Sequence, residues 1–271
     1  MLQIFLLNLT KDFFMKRTAL MLILPLLSLP VSAEIVTKEI RYTVDTLTCV
    51  GFLAFDNSIR GKRPAVLVVH EWWGLNDFTK TQTKNLASQG YIAFAPDMYG
   101  NGRFTDDSKT AMAMASEVRG TPRMRQRILA GFKTLLEQPD ADPLKTGAMG
   151  FCFGGSAVLE LAYSGAAVKG TVTFHGGLFS PNAEDIKSIK TKFLILHGAN
   201  DPTMKPDVVS QFRESLSKSG VDWQMVYFAN TVHAFTNPAA GNDPSKGAAY
   251  NPVSARRAFI YMKDFFTEIF R

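Results

Sequence analysis

Ala148-Met149-Gly150-Phe151-Cys152-Phe153-Gly154-Gly155-Ser156 reads as a buried strand that ends in a sharp turn and opens a helix. The turn holds Cys152. Glycines flank it because a strained strand-to-helix turn is crowded, and a Cβ there would collide with the neighbouring strand or helix. The thiol is then pushed out at the top of a sheet. The positive end of the helix starting at Phe153, and any histidine able to take the thiol proton, favour the thiolate. A free cysteine is more often a small buried hydrophobe. Gly150, Gly154 and Gly155 in register turn the reading of Cys152 toward a nucleophile.

Around this stretch strands and helices alternate. Ile35 to Tyr42 and Thr48 to Phe55 look like an initial pair of strands, and Pro64 to His70 is a continuous apolar run of the kind buried on both faces of a parallel sheet. A helix follows over Asp77 to Gln89, capped by Asn76 or Asp77 and stopped by Gly90. Tyr91 to Ala95 is a short strand broken by Pro96-Asp97. Beyond a Gly-rich loop and a helix ending near Val118, Thr121-Pro122 supplies a cap with proline at the first helical position. Met124, Ile128, Leu129, Phe132, Leu135 and Leu136 then recur at helical spacing. Past Cys152, three further strands cover Thr171 to His175, Lys192 to His197 and Trp223 to Phe228. Helices from about Pro206 to Lys218 and from Pro252 to the C-terminus complete the series. Such alternation predicts an α/β fold, a mostly parallel, doubly wound sheet with helices on both faces. Phe259, Met262, Phe265 and Phe266 on one face of the last helix read as core packing.

The 271 residues suffice for one large α/β domain, expected over residues 34–271, and 46% hydrophobic with 20% charged residues suits a globular class. The N-terminus differs. Lys16 and Arg17 precede the apolar run Ala19 to Leu29, and Val31-Ser32-Ala33 suits a signal-peptidase site. Met15 to Ala33 is therefore expected to be a secretory signal peptide after a short leader, with Met15 a candidate start, which points to export and a periplasmic location. The run is too short to span a bilayer, so no membrane attachment is expected after cleavage. In an oxidising compartment the two cysteines would have the option of a Cys49–Cys152 disulfide, which would abolish the nucleophile. Cys49 lies in a strand-like stretch, and packing is its expected role. The net charge of +6 is scattered and forms no concentrated patch, which argues against a nucleic-acid footprint.

A doubly wound sheet puts its chemistry at the carboxyl ends of the strands. All four histidines stand there: His70, His175 and His197 end apolar runs, and His233 follows Phe228. Elbow enzymes run nucleophile, acid, histidine along the chain, each on a loop after a strand. After Cys152 the first such acid is Asp201 in Gly198-Ala199-Asn200-Asp201-Pro202, with Asp207 a fallback at a helix start, and the only histidine beyond is His233. His233 would take the thiol proton, and Asp201 would hold its tautomer. His175 and His197 read as strand-end histidines bonded to backbone. No two histidines share a ligand-pair spacing on one element, so neither a metal nor another cofactor is expected. Glu71, at a strand's carboxyl end, is either a second base in the crevice or the partner of a surface lysine.

Gly150-Phe151-Cys152-Phe153-Gly154-Gly155, Asp201 and His233-Ala234-Phe235, with His70-Glu71-Trp72-Trp73-Gly74 and Pro96-Asp97-Met98-Tyr99-Gly100, together resemble the dienelactone hydrolase family of α/β hydrolases, and the likeness runs over nearly the whole mature chain in the same order as in the family. The resemblance implies hydrolysis of an ester or enol-lactone through an acyl-thioester on Cys152. It also implies that Glu71 holds and helps deprotonate the thiol. The backbone N–H groups of Phe153 and Trp72 would form the oxyanion hole. Two departures point away from dienelactone itself. Family members hold the substrate carboxylate with an arginine after the Pro-Asp-x-Tyr motif and another after the histidine; here Arg103 is displaced by Gly100-Asn101-Gly102, and Asn237 takes the second place.

The expectation is a cofactor-free, thiol-dependent hydrolase of small-molecule carboxylic esters or lactones, monomeric by default, without nucleic-acid partners. Thioester hydrolysis or acyl transfer on the same fold is the alternative. A non-catalytic binding protein on this scaffold and a peroxide-reducing thiol are further readings, the last lacking a resolving cysteine.

Overall fold

The computed structural model describes residues 34–271; the leader and signal-peptide assignment lies outside the described residues. Eight strands form one sheet in the order β1-β2-β4-β3-β5-β6-β7-β8. β1 (Ile35–Val44) and β2 (Leu47–Asp56) make an antiparallel hairpin turned at Asp45, whose φ of 53° suits a two-residue loop. β2 pairs antiparallel with β4 (Ile92–Ala95). From there the strands are parallel: β3 (Arg63–Val69), β5 (Ala141–Phe151), β6 (Gly170–Phe174), β7 (Lys192–Gly198) and β8 (Trp223–Phe228). The apolar runs thus lie where fully buried parallel strands belong, and the first two strands form an antiparallel edge.

The period-2 alternation of β3 sorts its side chains into two cores. Ala65, Leu67 and Val69 meet Met114 of α2 (Ser108–Ser116), Ile128 and Phe132 of α3 (Pro122–Leu136) and Val158 of α4 (Phe153–Tyr163). Val66 and Val68 meet Leu86 of α1 (Asp77–Ala87) and Met262 and Phe266 of α7 (Pro252–Ile269). Each face is closed by an amphipathic stripe, as two-faced burial of a parallel sheet requires. A third cluster packs α6 (Pro206–Ser219) through Phe212 and Leu216 on Phe193 and Ile195. The short α5 (Ala183–Ser188) has no apolar period of its own; the Asn182 side chain starts it by accepting from the N–H groups of Glu184 and Asp185.

From β3 the chain goes to β4 on one side of the sheet, while β5 lies on the other. The crevice between the ends of β3 and β5 is therefore the switch point where such sheets bind ligands. Its two lips are Glu71 and Cys152. The loop after β4 is held rigid by Asp97, whose carboxylate accepts from the N–H groups of Val50 (3.0 Å), Tyr99 (3.0 Å), Gly100 (2.7 Å) and Gly102 (2.8 Å).

At the elbow Cys152 has φ 52° and ψ −112°, a left-handed conformation that a non-glycine residue adopts only at a cost. A Cβ on Gly150 would lie 2.0 Å from the Gly154 carbonyl oxygen, and one on Gly154 would lie 2.3 Å from that of Val69. Both obstacles are backbone. Gly150→Ala is therefore expected to destabilise the fold by at least about 3 kcal/mol or to prevent soluble expression. Gly220→Ala, whose added Cβ meets nothing within 4 Å at φ 72°, should cost about 1 kcal/mol, with chemical denaturation as the measurement.

Candidate active site

The three residues chosen by chain order converge. Cys152 follows β5, Asp201 follows β7, and His233 follows β8. His233 Nδ1 donates to Asp201 Oδ2 at 2.8 Å; a carboxylate only accepts, so the proton sits on Nδ1 and Nε2 is left for Cys152. The other Asp201 oxygen accepts from the Thr203 N–H (2.9 Å) and hydroxyl (2.6 Å). Burial works against a charge on His233, but the Cys152 sulfur, as a negative charge and hydrogen-bonding partner, and Asp201 outweigh it and lift the imidazole to about 10. Burial likewise opposes ionisation of Asp201, yet His233 and Thr203 bring its carboxyl down to about 2. The fallback Asp207 is exposed in the first turn of α6, and the carboxylate bonded to His233 is Asp201.

Glu71 is buried beside this group, 2% exposed. Its bonded partner is not a lysine but the Asn237 amide, at 2.5 Å from Oε2. The orientation of that amide is determined. Asn237 Oδ1 accepts from the Ala239 N–H (2.9 Å) to cap a 3₁₀ turn at Pro238–Ala240, so only Nδ2 is free to donate. Burial drives the Glu71 carboxyl up to about 7, against the smaller pull of Asn237 and His233.

Two residues that the sequence reading left without a site role hold the Glu71–Trp72 segment. His70 Nε2 accepts from the Met98 N–H (3.2 Å), so Nδ1 carries the proton and donates to the Glu71 carbonyl. Burial lowers the His70 pKa, keeping the ring neutral, and it stacks on Phe153 with centroids 5.7 Å apart. The Tyr99 hydroxyl donates to the Trp72 carbonyl at 2.9 Å. Both lie inside motifs already singled out, His70-Glu71-Trp72 and Asp97-Met98-Tyr99, which was the available signal. Phe153 is the first residue of α4, so its N–H has no intrahelical acceptor and faces the elbow.

The backbone-bonded reading of His175 and His197 is corrected. His175 Nε2 bonds the Thr236 hydroxyl at 2.8 Å, and its ring meets His233 edge-on at 5.1 Å. His197 packs perpendicular to Tyr227 at 5.7 Å, and its Nδ1 has no partner among the described residues. The strand-end main chain is already paired, as His175 N–H to Leu196 carbonyl shows, so these rings turn to side chains instead. Cys49 is fully buried in β2 and Cys152 partly exposed; both are free. Among the described residues no three His, Cys, Asp or Glu side chains are grouped to hold a metal.

Cys152, His233 and Glu71 line a cleft of about 1070 Å³. Its wall is largely apolar, with Trp72, Trp73, Met124, Leu178, Phe179 and Met204. A cleft of this size with a largely apolar wall and a few polar side chains on it has the character of a small-molecule site.

A profile of the dienelactone hydrolase family matches residues 50–270. The crystal structure of a dienelactone hydrolase-like promiscuous phosphotriesterase, P91, from metagenomic libraries superposes with a TM-score of 0.84 at 35% identity, covering 88% of this chain and 99% of that one. A protein of Aquifex aeolicus named "Putative carboxymethylenebutenolidase" is 30% identical over 75% of this chain and 87% of its own length. "Protein usf" of Aquifex pyrophilus is 28% identical over 76% of this chain and 88% of its own length. With the sheet order, the elbow and the extent of these matches in hand, the chain belongs to the dienelactone hydrolase family and is an α/β-type hydrolase.

Proposed function

We propose that this protein hydrolyses carboxylic esters or lactones through an acyl-thioester on Cys152. The observation that carries this reading is the orientation of His233: Nδ1–H is given to Asp201, and the other ring nitrogen is turned to the Cys152 sulfur on the floor of the cleft. In the first step the Cys152 thiol gives its proton to His233 Nε2 as Sγ bonds to the substrate carbonyl carbon, and the carbonyl electron pair moves onto oxygen, facing the main-chain N–H groups of Phe153 and Trp72. Collapse re-forms the carbonyl and breaks the bond to the leaving alkoxide, which takes the proton from His233. Water then gives a proton to His233 and attacks the thioester, releasing the acid and the Cys152 sulfur.

Asp201 keeps the imidazole in the tautomer that both steps use and stabilises its charged form. Glu71, held by the neutral Asn237 amide, is poised to exchange a proton near neutral pH and acts as the second base at the elbow. The expected secretion signal over residues 15–33 places the activity outside the cytoplasm as part of the same proposal. The relative described as a promiscuous phosphotriesterase motivates including a phosphotriester in the substrate panel as a side activity.

Short-chain p-nitrophenyl esters supply the direct test. Cys152→Ala and His233→Ala should each lower kcat/KM by roughly 10³-fold or more, and Asp201→Asn by roughly 10²- to 10⁴-fold. Retained turnover in Cys152→Ala would remove the thioester mechanism. Added hydroxylamine should divert product to the hydroxamate, as an acyl-enzyme requires.

Glu71 makes a second prediction, in stability. Its folded-state pKa of about 7 lies above the ordinary 4.5, so the native state binds the extra proton; stability is highest below the ordinary value and falls as pH rises through about 7. Glu71→Gln removes this dependence. The variant should gain, relative to wild type, on the order of 3 kcal/mol more at pH 8 than at pH 4, with urea denaturation at both pH values as the measurement. An equal difference at the two pH values would contradict the raised carboxyl.

A further inference from the structure

One guanidinium joins three elements behind the cleft wall. Arg125, near the start of α3, forks onto the Asp185 carboxylate of α5 with Nη1 and Nη2 at 2.8 and 2.9 Å, and its Nε donates to Glu160 of α4 at 2.7 Å. Arg125 does not itself line the cleft. The residues beside its contacts do: Met124 precedes it, Glu160 is in the wall, and Leu178 and Phe179 belong to the chain that leads into α5.

The stretch from Phe179 to Ile189 has little else to hold it. The Ser156 hydroxyl donates to the Gly177 carbonyl and the Tyr163 hydroxyl to that of Phe179, both at 2.8 Å, which fixes the entry of the stretch on α4. Ile189 returns to the cluster around Phe212. Between these ends Pro181 is the one buried residue, and α5 itself buries none. A helix of six residues does not persist by its own hydrogen bonds, and the Asn182 cap satisfies only its first turn. What fastens it to the body is therefore the ionic fork. Surface ion pairs ordinarily contribute little, but these carboxylates are largely shielded, with side-chain exposure of 13% for Asp185 and 20% for Glu160. A bidentate guanidinium also fixes orientation as well as distance.

We propose that Arg125 is a positioning residue that sets the reach of the cleft: by tying α5 to α3 and α4 it holds the Leu178–Phe179 wall, and so governs selectivity for esters with a long apolar arm over short ones. Met124, Leu178 and Phe179 are apolar, so an alkyl arm that meets them gains by leaving water, and that gain depends on the wall being in place. The proposal rests on the hydrolase reading above and concerns which of its substrates are favoured.

Methyl acetate, methyl octanoate and octyl acetate compare a short ester with one extended on the acyl side and one extended on the alcohol side, the released acid being titrated. In Arg125→Met and in Asp185→Asn, KM for at least one long ester should rise roughly 5- to 20-fold, while its kcat and the kcat/KM of methyl acetate stay within about twofold. The Asp185→Asn effect should vanish in the Arg125→Met background, because both substitutions break the same fork. Arg125→Lys, which keeps the charge without the fork, should fall between wild type and Arg125→Met. An equal loss on all three esters, or none on either long one, would overturn the proposal. Trypsin supplies a readout that needs no turnover. Lys187 and Lys190 are exposed in and just after α5. Cleavage there should accelerate at least roughly 10-fold in both single variants with the other sites unchanged, as local release of one segment requires. Acceleration at every site would mark loss of the whole fold and overturn the clamp. Unchanged cleavage at Lys187 and Lys190 would remove it even if esters are hydrolysed, whereas selective cleavage in a protein that turns over no ester would support the clamp and count against the hydrolase reading alone.

Discussion

The start of α4 lies backbone to backbone against β3 and β5, with no side chain between Gly154 and the Val69 carbonyl or between Gly150 and the Gly154 carbonyl. This contact sets the rest. A helix that approached a sheet through side chains would stand several ångströms farther away. Cys152 would then sit at the side of the crevice instead of above it. Close approach also puts the free N–H of Phe153, and the positive end of the helix dipole, next to the sulfur. The left-handed backbone of Cys152 is the strain that accompanies this placement, and the surrounding cores hold it.

Around the elbow three acidic side chains meet three environments and end with different properties. Asp97 is fully buried but surrounded by four main-chain N–H donors, and it serves as the cradle of a loop. Asp201 is matched by a histidine and a threonine hydroxyl, which stabilise its charge and pull its pKa down. Glu71 has one neutral amide and little else, so burial prevails and its carboxyl rises into the neutral range. Donor number and donor charge, more than depth, separate Asp201 from Glu71. A cation at position 237 would have placed Glu71 with Asp201. The amide leaves it able to hold or release a proton at neutral pH.

The parts of this structure legible in the sequence are those governed by short-range rules. The runs Pro64–His70 and Lys192–His197 could only be buried strands, and Gly150, Gly154 and Gly155 announced the elbow by their spacing alone. Asp201 and His233 were recoverable because topology imposes an order on the loops of a doubly wound sheet. Other features depend on long-range partners that no local pattern encodes. Glu71 meets an amide 166 residues away, and His175 meets a hydroxyl 61 residues away. The short α5 escaped for a different reason: it buries no residue, so there was no apolar period to detect.

The His233 loop shows how such long-range bonds make a mobile type of segment into a precise one. Loops ordinarily have latitude, and catalysis tolerates little. Here three of the five side chains from His233 to Asn237 are tied to separate strand ends. His233 is bonded to Asp201 after β7, Thr236 to His175 after β6, and Asn237 to Glu71 after β3. Phe235 is fully buried, in edge contact with His175, and Ala234 takes a φ of 55° to let the chain pass between these anchors. With ties to three strands, displacement of the loop in any direction lengthens at least one hydrogen bond, and those of Thr236 and Asn237 are buried. A lost bond there has no solvent substitute, so the imidazole is held by the penalty for every alternative position as much as by its own bond to Asp201.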